Sequence, residues 1–564
     1  MEKFKDIKYT RPDLADVRKR ILANVKLFQK AKTFEEADKY LLAWEDIMTE
    51  AMTEISIAHI RNTINMADEF YDAERKFFDA NTPKLMPVMK KSTNALLKSK
   101  FRPQLEEKYG SHFFKTNEME QKLMKLSVIP QMIEENKLTS EYSKIAAACS
   151  VDFMGEKCNF YGLLRHMQST DRDERKEAFL SWAKLYEEAS PKLDEIYGKL
   201  IKVRVKLAKK LGFKSYTDYA YLARGRYDYD KTKVAEFREA VRKYITPVCA
   251  RMFDDQAARL GLDSLNWYDE SLVFSDGNAK PIGTPEELVE SAKKMYSAMS
   301  PETKEFFDFL TEYELYDFVT RENKHLGGYC TSLPSYKAPF IFSNFNGTSA
   351  DVDVLTHEAG HAFEGFVASR KLPIFDLVFS TSEINEIHSM TMEFFAYPYM
   401  EGFFGEKADK YRYAHFTEAI KTIPYLVSVD EFQHKVYENP DSTSADWRRY
   451  WKEIEEKYMP WRHYDGNEFL EGGGFWMQKQ HIFLYPFYYV DYAMAQLCAL
   501  QLYKTKVDGG DAWSKYLNLC SMGGKYGYFE TLGKAGLEIP LNDAVVKEMA
   551  EFAEKEAEEL KARL

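Results

Sequence analysis

From residue 33 to about residue 80, apolar side chains recur every three or four positions. Leu41, Leu42, Trp44, Ile47, Met48, Met52, Ile55, Ile57, Ile60 and Ile64 carry the pattern. That period marks one face of an α-helix. It predicts one long amphipathic helix, or a helix with a kink. Thr33 with Glu36 forms a capping-box start, and Asn81-Thr82-Pro83 supplies a break. Helical spacing then continues to about residue 148. Around Gly155 the pattern shortens to β-prone pieces that predict a small hairpin. Helix resumes at Thr170-Asp171-Arg172-Asp173, with a cap and acids in its first turn. It runs to about 230, with breaks at Gly212 and near Gly225.

Turns follow at Asp276-Gly277-Asn278 and Pro281-Ile282-Gly283. Thr284-Pro285-Glu286 and Ser300-Pro301-Glu302 each put a capping hydroxyl before a first-turn proline, which predicts two helix starts. Between Gly327 and Gly347 the period changes to that of a sheet. The stretch is rich in Tyr, Phe and Ile and bounded by Gly and Asn. Pro334 and Pro339 suit an edge strand better than a central one. An edge strand can bind extended peptide by strand addition; the same residues also suit a plain structural hairpin. Residues 437–446 read as a further break. Gly472-Gly473-Gly474 gives backbone that can move or approach a ligand closely, and no Gly-Lys-Ser/Thr follows to make it a phosphate loop. A tail helix covers about 543–564. No internal repeat is visible.

The chain has 564 residues and a net charge of −11. Its length predicts two or three lobes, divided here as 1–150, 151–325 and 326–564, interleaved as one unit. The acidic balance argues against nucleic-acid binding. Six scattered cysteines without a C-x-x-C pair fit a reducing compartment. The first twenty residues lack the apolar core of a signal peptide, and no run approaches a membrane span. A cytoplasmic location with no membrane partner is expected.

The chemistry concentrates between Asp351 and Glu393. His357-Glu358-Ala359-Gly360-His361 is an H-E-x-x-H motif. On a helix its two histidines share one face and can grip one metal ion, and Glu358 can reach a metal-bound water. Gly360 costs a helix ~1 kcal/mol relative to Ala, so something is expected to pack closely against it, unless it only relieves crowding. Glu364 and Val367 occupy the Gly and third-His positions of the extended motif. A third ligand must then come from another segment, with Glu383, Glu386, His388 and Glu393 as candidates. Glu393 and Asp353 are candidate acceptors for the ligand imidazoles.

HEAGH followed by EINEIHSMTME resembles the zinc metallopeptidases of the thimet oligopeptidase and oligoendopeptidase F group, and more closely the oligoendopeptidase F branch. The segments DFMGEKCNFYGLLRHMQSTDRDER, APFIFSNFNGT and HIFLYPFYYVDYA extend the likeness over nearly the whole chain. The resemblance implies a mainly α fold: two helical lobes around a deep substrate channel, with a small β-sheet beside the H-E-x-x-H helix. It implies one Zn²⁺ held by His357, His361 and Glu386, with Glu358 as general base. His481, Tyr485 and Tyr492 are implied as groups that stabilise the oxyanion, with Tyr488 and Tyr489 as rivals. The expected activity is zinc-dependent endopeptidase action on oligopeptide substrates. The alternatives are a zinc exopeptidase, acting at either terminus, or a non-catalytic helical peptide-binding protein.

Overall fold

The computed structural model describes every residue except Met124 and Leu326. Leu326, where the third expected division begins, thus lies outside the described residues. Helix takes 72% of the chain, so the mainly α expectation holds. The chain sorts into two compact units, each assembled from three separate stretches. Met1–Gln121, Lys280–Ala408 and Gln501–Leu537 form the first; Lys122–Ala279, Asp409–Leu500 and Glu538–Leu564 form the second. Among the described residues, no helix is long and apolar enough to cross a membrane.

In the first unit, helices Leu14–Lys30 and Phe34–Ile64 bury their apolar stripes in one core. Val17, Ile21, Val25 and Phe28 meet Leu41, Trp44 and Ile47 there. Phe28 and Trp44 lie edge-on with ring centres 5.0 Å apart. The kinked version of the long helix is the observed one. Asn65 is extended, and Asp68 caps a new helix, Glu69–Asn81. The expected break at Asn81-Thr82-Pro83 is also present: the helix ends at Asn81, and Thr82–Leu85 forms a tight turn of 3₁₀ helix. Thr33 is the cap as expected, but the return bond of the box is shifted by one residue. The Thr33 hydroxyl accepts from Glu36 N at 3.3 Å, but the Glu36 carboxylate accepts from Lys32 N at 2.7 Å. Helices Pro285–Met299 and Pro301–Glu312 begin at the expected caps, Thr284 and Ser300.

Five strands complete the described secondary structure. β1 (Val151–Phe153) and β2 (Glu156–Cys158) make a hairpin in the second unit. β3 (Tyr316–Val319), β4 (Tyr329–Leu333) and β5 (Ala338–Phe345) make a sheet in the first, in the order β3-β5-β4. β4 is an edge strand, as the prolines suggested, but Pro339 lies in the central strand. Its position explains the tolerance. Pro339 pairs with Ser332 of β4, whereas β3 joins β5 only from Ile341 onward, so the missing N–H costs β3 no bond.

In the second unit, Met154 and Gly155 have φ of +49° and +83°, the two left-handed residues of a tight hairpin turn. The helix Arg172–Leu211 starts at Asp171 and ends at Gly212, with φ +97°. The glycine run does approach another backbone, but that of a neighbouring helix. A Cβ on Gly473 would lie 2.0 Å from the Arg448 carbonyl oxygen. Its role in the fold is therefore close packing.

Nearby, burial pushes the Glu455 carboxyl up to about 7, although Arg462 and hydrogen bonds from Tyr464 and Trp451 pull it down. Its folded pKa is raised, so its folded state holds a proton that the unfolded chain releases from about pH 4.5 upward. Stability from this group is present in acid and is lost as the pH rises toward 7. Glu455→Gln should thus be more stable than the parent above pH 7, by on the order of 3 kcal/mol. The gap should close near pH 4.5; denaturant unfolding across that range measures it.

Candidate metal centre

The motif lies in helix Ala350–Lys371, the motif helix, which follows β5 directly. Asp351 fixes the entry. Its carboxylate accepts from the backbone N–H of Asn346 at 2.9 Å and of Gly347 at 2.7 Å. The helix is embedded by Phe363 and Phe366, which pack on Phe306. A second helix, Ser382–Phe395, carries Glu386 and Glu393. The loop between the two helices buries Ile374 and Leu377 in the core of the N-terminal helices, which anchors the pair.

Gly360 sets the distance between these helices. A Cβ there would meet Ser389 Cα at 2.6 Å and the His388 carbonyl oxygen at 2.7 Å. Real Cβ atoms do not tolerate such contacts, so the close packing expected from the sequence is present. Tyr516, on helix Ala512–Met522, donates to the His388 carbonyl at 2.9 Å and steadies the same turn.

With the backbones this close, three ligand atoms converge. Glu386 Oε2 lies 3.4 Å from His357 Nε2 and 3.4 Å from His361 Nε2. Ligands at ~2.0–2.2 Å from a tetrahedral zinc ion stand about 3.3–3.6 Å apart, so the donor set fits such an ion. His357, His361 and Glu386 are a group that could hold a metal. His357 also gives its Nδ1 to Glu393 Oε1 at 2.6 Å, which directs its Nε2 to Glu386.

The electrostatics agree with this geometry. Burial disfavours a charged His357, but Glu386 and Glu393 raise its pKa well above the ordinary value. Burial likewise opposes an ionised Glu386, yet His361 and His357 hold it well below the carboxylate range. A metal ion at this site must therefore compete with the proton that the carboxylates favour on His357. Glu393→Gln keeps an acceptor but removes its charge. It should weaken metal affinity about 10–100-fold, measured by competition with a chelator.

The other candidates separate by burial. His388 is fully buried, and burial pushes its pKa down to about 3, so it is a neutral core residue. Glu364 is buried and its Oε1 has no hydrogen-bond partner; burial raises its carboxyl far above the usual range. Neither it, Glu383 nor His388 joins the converging group. Glu358 sits beside His357, half-buried, and burial raises its carboxyl. Gly328, just ahead of β4, allows the strand to approach the motif helix at Val354, next to Glu358. A Cβ there would stand 3.8 Å from Glu358 Oε1 and 3.1 Å from Val354. Nothing in the linear sequence marked Gly328, since its role depends on a helix about thirty residues away.

Comparison with known proteins now decides the family. Residues 165–551 match the model of peptidase family M3, and residues 4–124 match the peptidase M3 N-terminal domain. The chain belongs to peptidase family M3. Among solved structures, a PZ peptidase A determined with an inhibitor is 42% identical over 100% of both chains, with a TM-score of 0.94. A protein described as an oligoendopeptidase F is 39% identical over 99% of both chains, with a TM-score of 0.93. Another so described, from Bacillus anthracis strain Ames, is 39% identical over 99% of this chain and 98% of its own, with a TM-score of 0.89. No curated protein sequence matches. As a family M3 member the chain is a metallopeptidase, and peptides are its substrates.

His481, Tyr485 and Tyr492 of this M3 peptidase lie in the second unit. His481 is in a short helix, Gln480–Leu484, and Tyr485 follows at its end with 55% of its surface exposed. Tyr488 and Tyr489 lie between it and Tyr492. Tyr492 donates to the Tyr488 hydroxyl at 3.2 Å, one helical turn away. The segment is firmly held. Phe487 adopts φ +62°, a strained value for a bulky residue. Its N–H is fixed by Gln433 at 2.9 Å, and its carbonyl accepts from Arg226. Arg226 and Arg224 also bind the buried Asp491, at 2.5 and 2.9 Å. Arg224 stacks on Tyr488, 4.5 Å from the ring centre. These arginines carry no motif, so only the folded chain reveals them.

Proposed function

We propose that this M3 peptidase is a zinc-dependent endopeptidase that hydrolyses internal bonds of short or unfolded peptides. The observation that carries the reading is the convergence of two imidazole Nε2 atoms on one ionised carboxylate, each at 3.4 Å, with Glu358 alongside. His357, His361 and Glu386 would hold one zinc ion. Bound there, zinc would supply Lewis acidity, polarising a peptide carbonyl and acidifying a water molecule.

Glu358 takes the proton from the attacking water and returns it to the leaving amine. Its buried setting, which raises its pKa, suits both halves of that task. Glu393 keeps His357 in the tautomer that presents Nε2. The negative charge that develops on the carbonyl oxygen needs a donor. His481, Tyr485 and Tyr492 are assigned that role from the family resemblance. The exposed phenol of Tyr485 and the clamped backbone around Phe487 support a segment held ready for a ligand. β4 is one of the two edge strands of its sheet, and Gly328 at its head lies against the motif helix, beside Val354 and Glu358. Both features support binding of extended peptide backbone along β4.

Internally quenched peptides blocked at both termini test the reading. Cleavage is expected between internal residues, lost on chelation and restored by zinc. Failure to cut blocked peptides while trimming free termini would make the enzyme an exopeptidase. Hydrolysis that survives complete metal removal would overturn the metal assignment.

A further inference from the structure

The hairpin of the second unit holds a second cluster of metal-ligating side chains. One ligating atom each from Glu156, Cys158 and His166 lies within 4.8 Å of the others. Glu156 and Cys158 are two apart on β2 and so share a face. Phe153 pairs with Glu156 in the ladder, and its ring stands edge-on to His166 at 4.9 Å. Helix Phe160–His166 brings the histidine back to that face, and Asn159 caps its start by accepting from Gly162 N at 3.0 Å. Gly162 permits the close approach. A Cβ there would lie 3.2 Å from both Cβ and Sγ of Cys158.

The histidine has the arrangement seen at His357. Its Nδ1 is bonded to Glu174 Oε1 at 2.7 Å, and its Nε2 is buried without a hydrogen-bond partner. Buried nitrogens are seldom left unpaired. A carboxylate behind one ring nitrogen and an open second nitrogen is the usual setting of a metal-binding imidazole. Cys158 is 3% exposed.

We propose that Glu156, Cys158 and His166 form a second metal site, for a zinc-type divalent ion, distinct from the His357–His361–Glu386 set. Thiolate, imidazole and carboxylate are a zinc donor set, and three protein ligands leave one position open to solvent. Tetrahedral ligands lie about 3.3–3.8 Å apart, so the group contracts on binding. Glu156 is the member free to move. It is exposed, and its ion pair with Arg165 at 2.5 Å is a surface pair that contributes little. The ion would clip the hairpin to the helix that follows it.

Metal counting and cobalt spectroscopy test this on the full chain. Equilibrium dialysis against Zn²⁺ should give two equivalents for the parent. Cys158→Ser and His166→Gln should each give one, and so should His361→Ala. Loaded with Co²⁺, the parent and His361→Ala should show a sulfur-to-cobalt charge-transfer band in the near ultraviolet. Cys158→Ser should lose it. The catalytic set contains no sulfur, so this band is independent of the proposed peptidase centre. A single equivalent in the parent that His361→Ala abolishes, or a band that persists in Cys158→Ser, would refute the second site. Circular dichroism confirms folding of each variant. Should Cys158→Ser not fold, His166→Gln and Glu156→Gln decide by the same count.

Discussion

Glu358→Gln should lower peptide hydrolysis by about 10²–10⁴-fold, the range of a positioned general base, while leaving the metal in place. Gln is close to Glu in size and keeps an oxygen that accepts hydrogen bonds, but it cannot take the water proton. Glu358 is not among the three residues whose ligand atoms converge, so the donor set His357, His361 and Glu386 is untouched. The expected signature is a fall in kcat with bound metal near one equivalent per catalytic centre. Steady-state kinetics on a quenched peptide, with metal analysis of the same sample, measures both. Full activity in Glu358→Gln would remove it from the proton transfer and require another base.

Gly360→Ala should destabilise the protein and weaken metal binding, although alanine is the better helix former. The two effects differ in size. Replacing a helical glycine with alanine gains ~1 kcal/mol from propensity. Overpacking costs about 1–3 kcal/mol, and here the added methyl meets the Ser389 Cα at 2.6 Å and the His388 carbonyl at 2.7 Å. Those atoms belong to backbone and cannot rotate aside. The helices must separate, which carries Glu386 away from both imidazoles. Gly365 on the same helix is the internal control. A Cβ there meets only the Phe379 ring, at 3.5 Å, an ordinary contact. Gly365→Ala should therefore be neutral or stabilising. Thermal unfolding and chelator competition on the two variants separate packing from propensity. Equal behaviour would show that helix spacing does not control the metal centre.

Much of this could be read in the linear sequence because the signals are local. Helix caps at Asp171, Thr284 and Ser300, the hairpin turn at Gly155 and the helix end at Gly212 depend on neighbours a few residues away. The spacing of His357, Glu358 and His361 is local in the same sense, since a helix places them without help from other segments. Family resemblance added Glu386, which no spacing rule could pick from Glu383, His388 and Glu393.

The tertiary structure decided what depends on distant partners. The long apolar run at 33–80 broke at Asn65–Asp68 as well as ending at Asn81, since Asp68 supplies a cap that hydrophobic period alone does not reveal. Pro339 sits in a central strand because β3 begins its pairing two residues later, a matter of register. Glu393 proves to be the partner of His357, and Gly328 the point of close approach to Val354, through contacts between segments about thirty residues apart. The sequence by itself determined the helices, the motif and the kind of chemistry, because those follow from nearest neighbours along the chain. Only the fold brought Glu386 to within 3.4 Å of both histidines and set how closely their helices approach. Both depend on backbone packing at Gly360, which no one-dimensional pattern specifies.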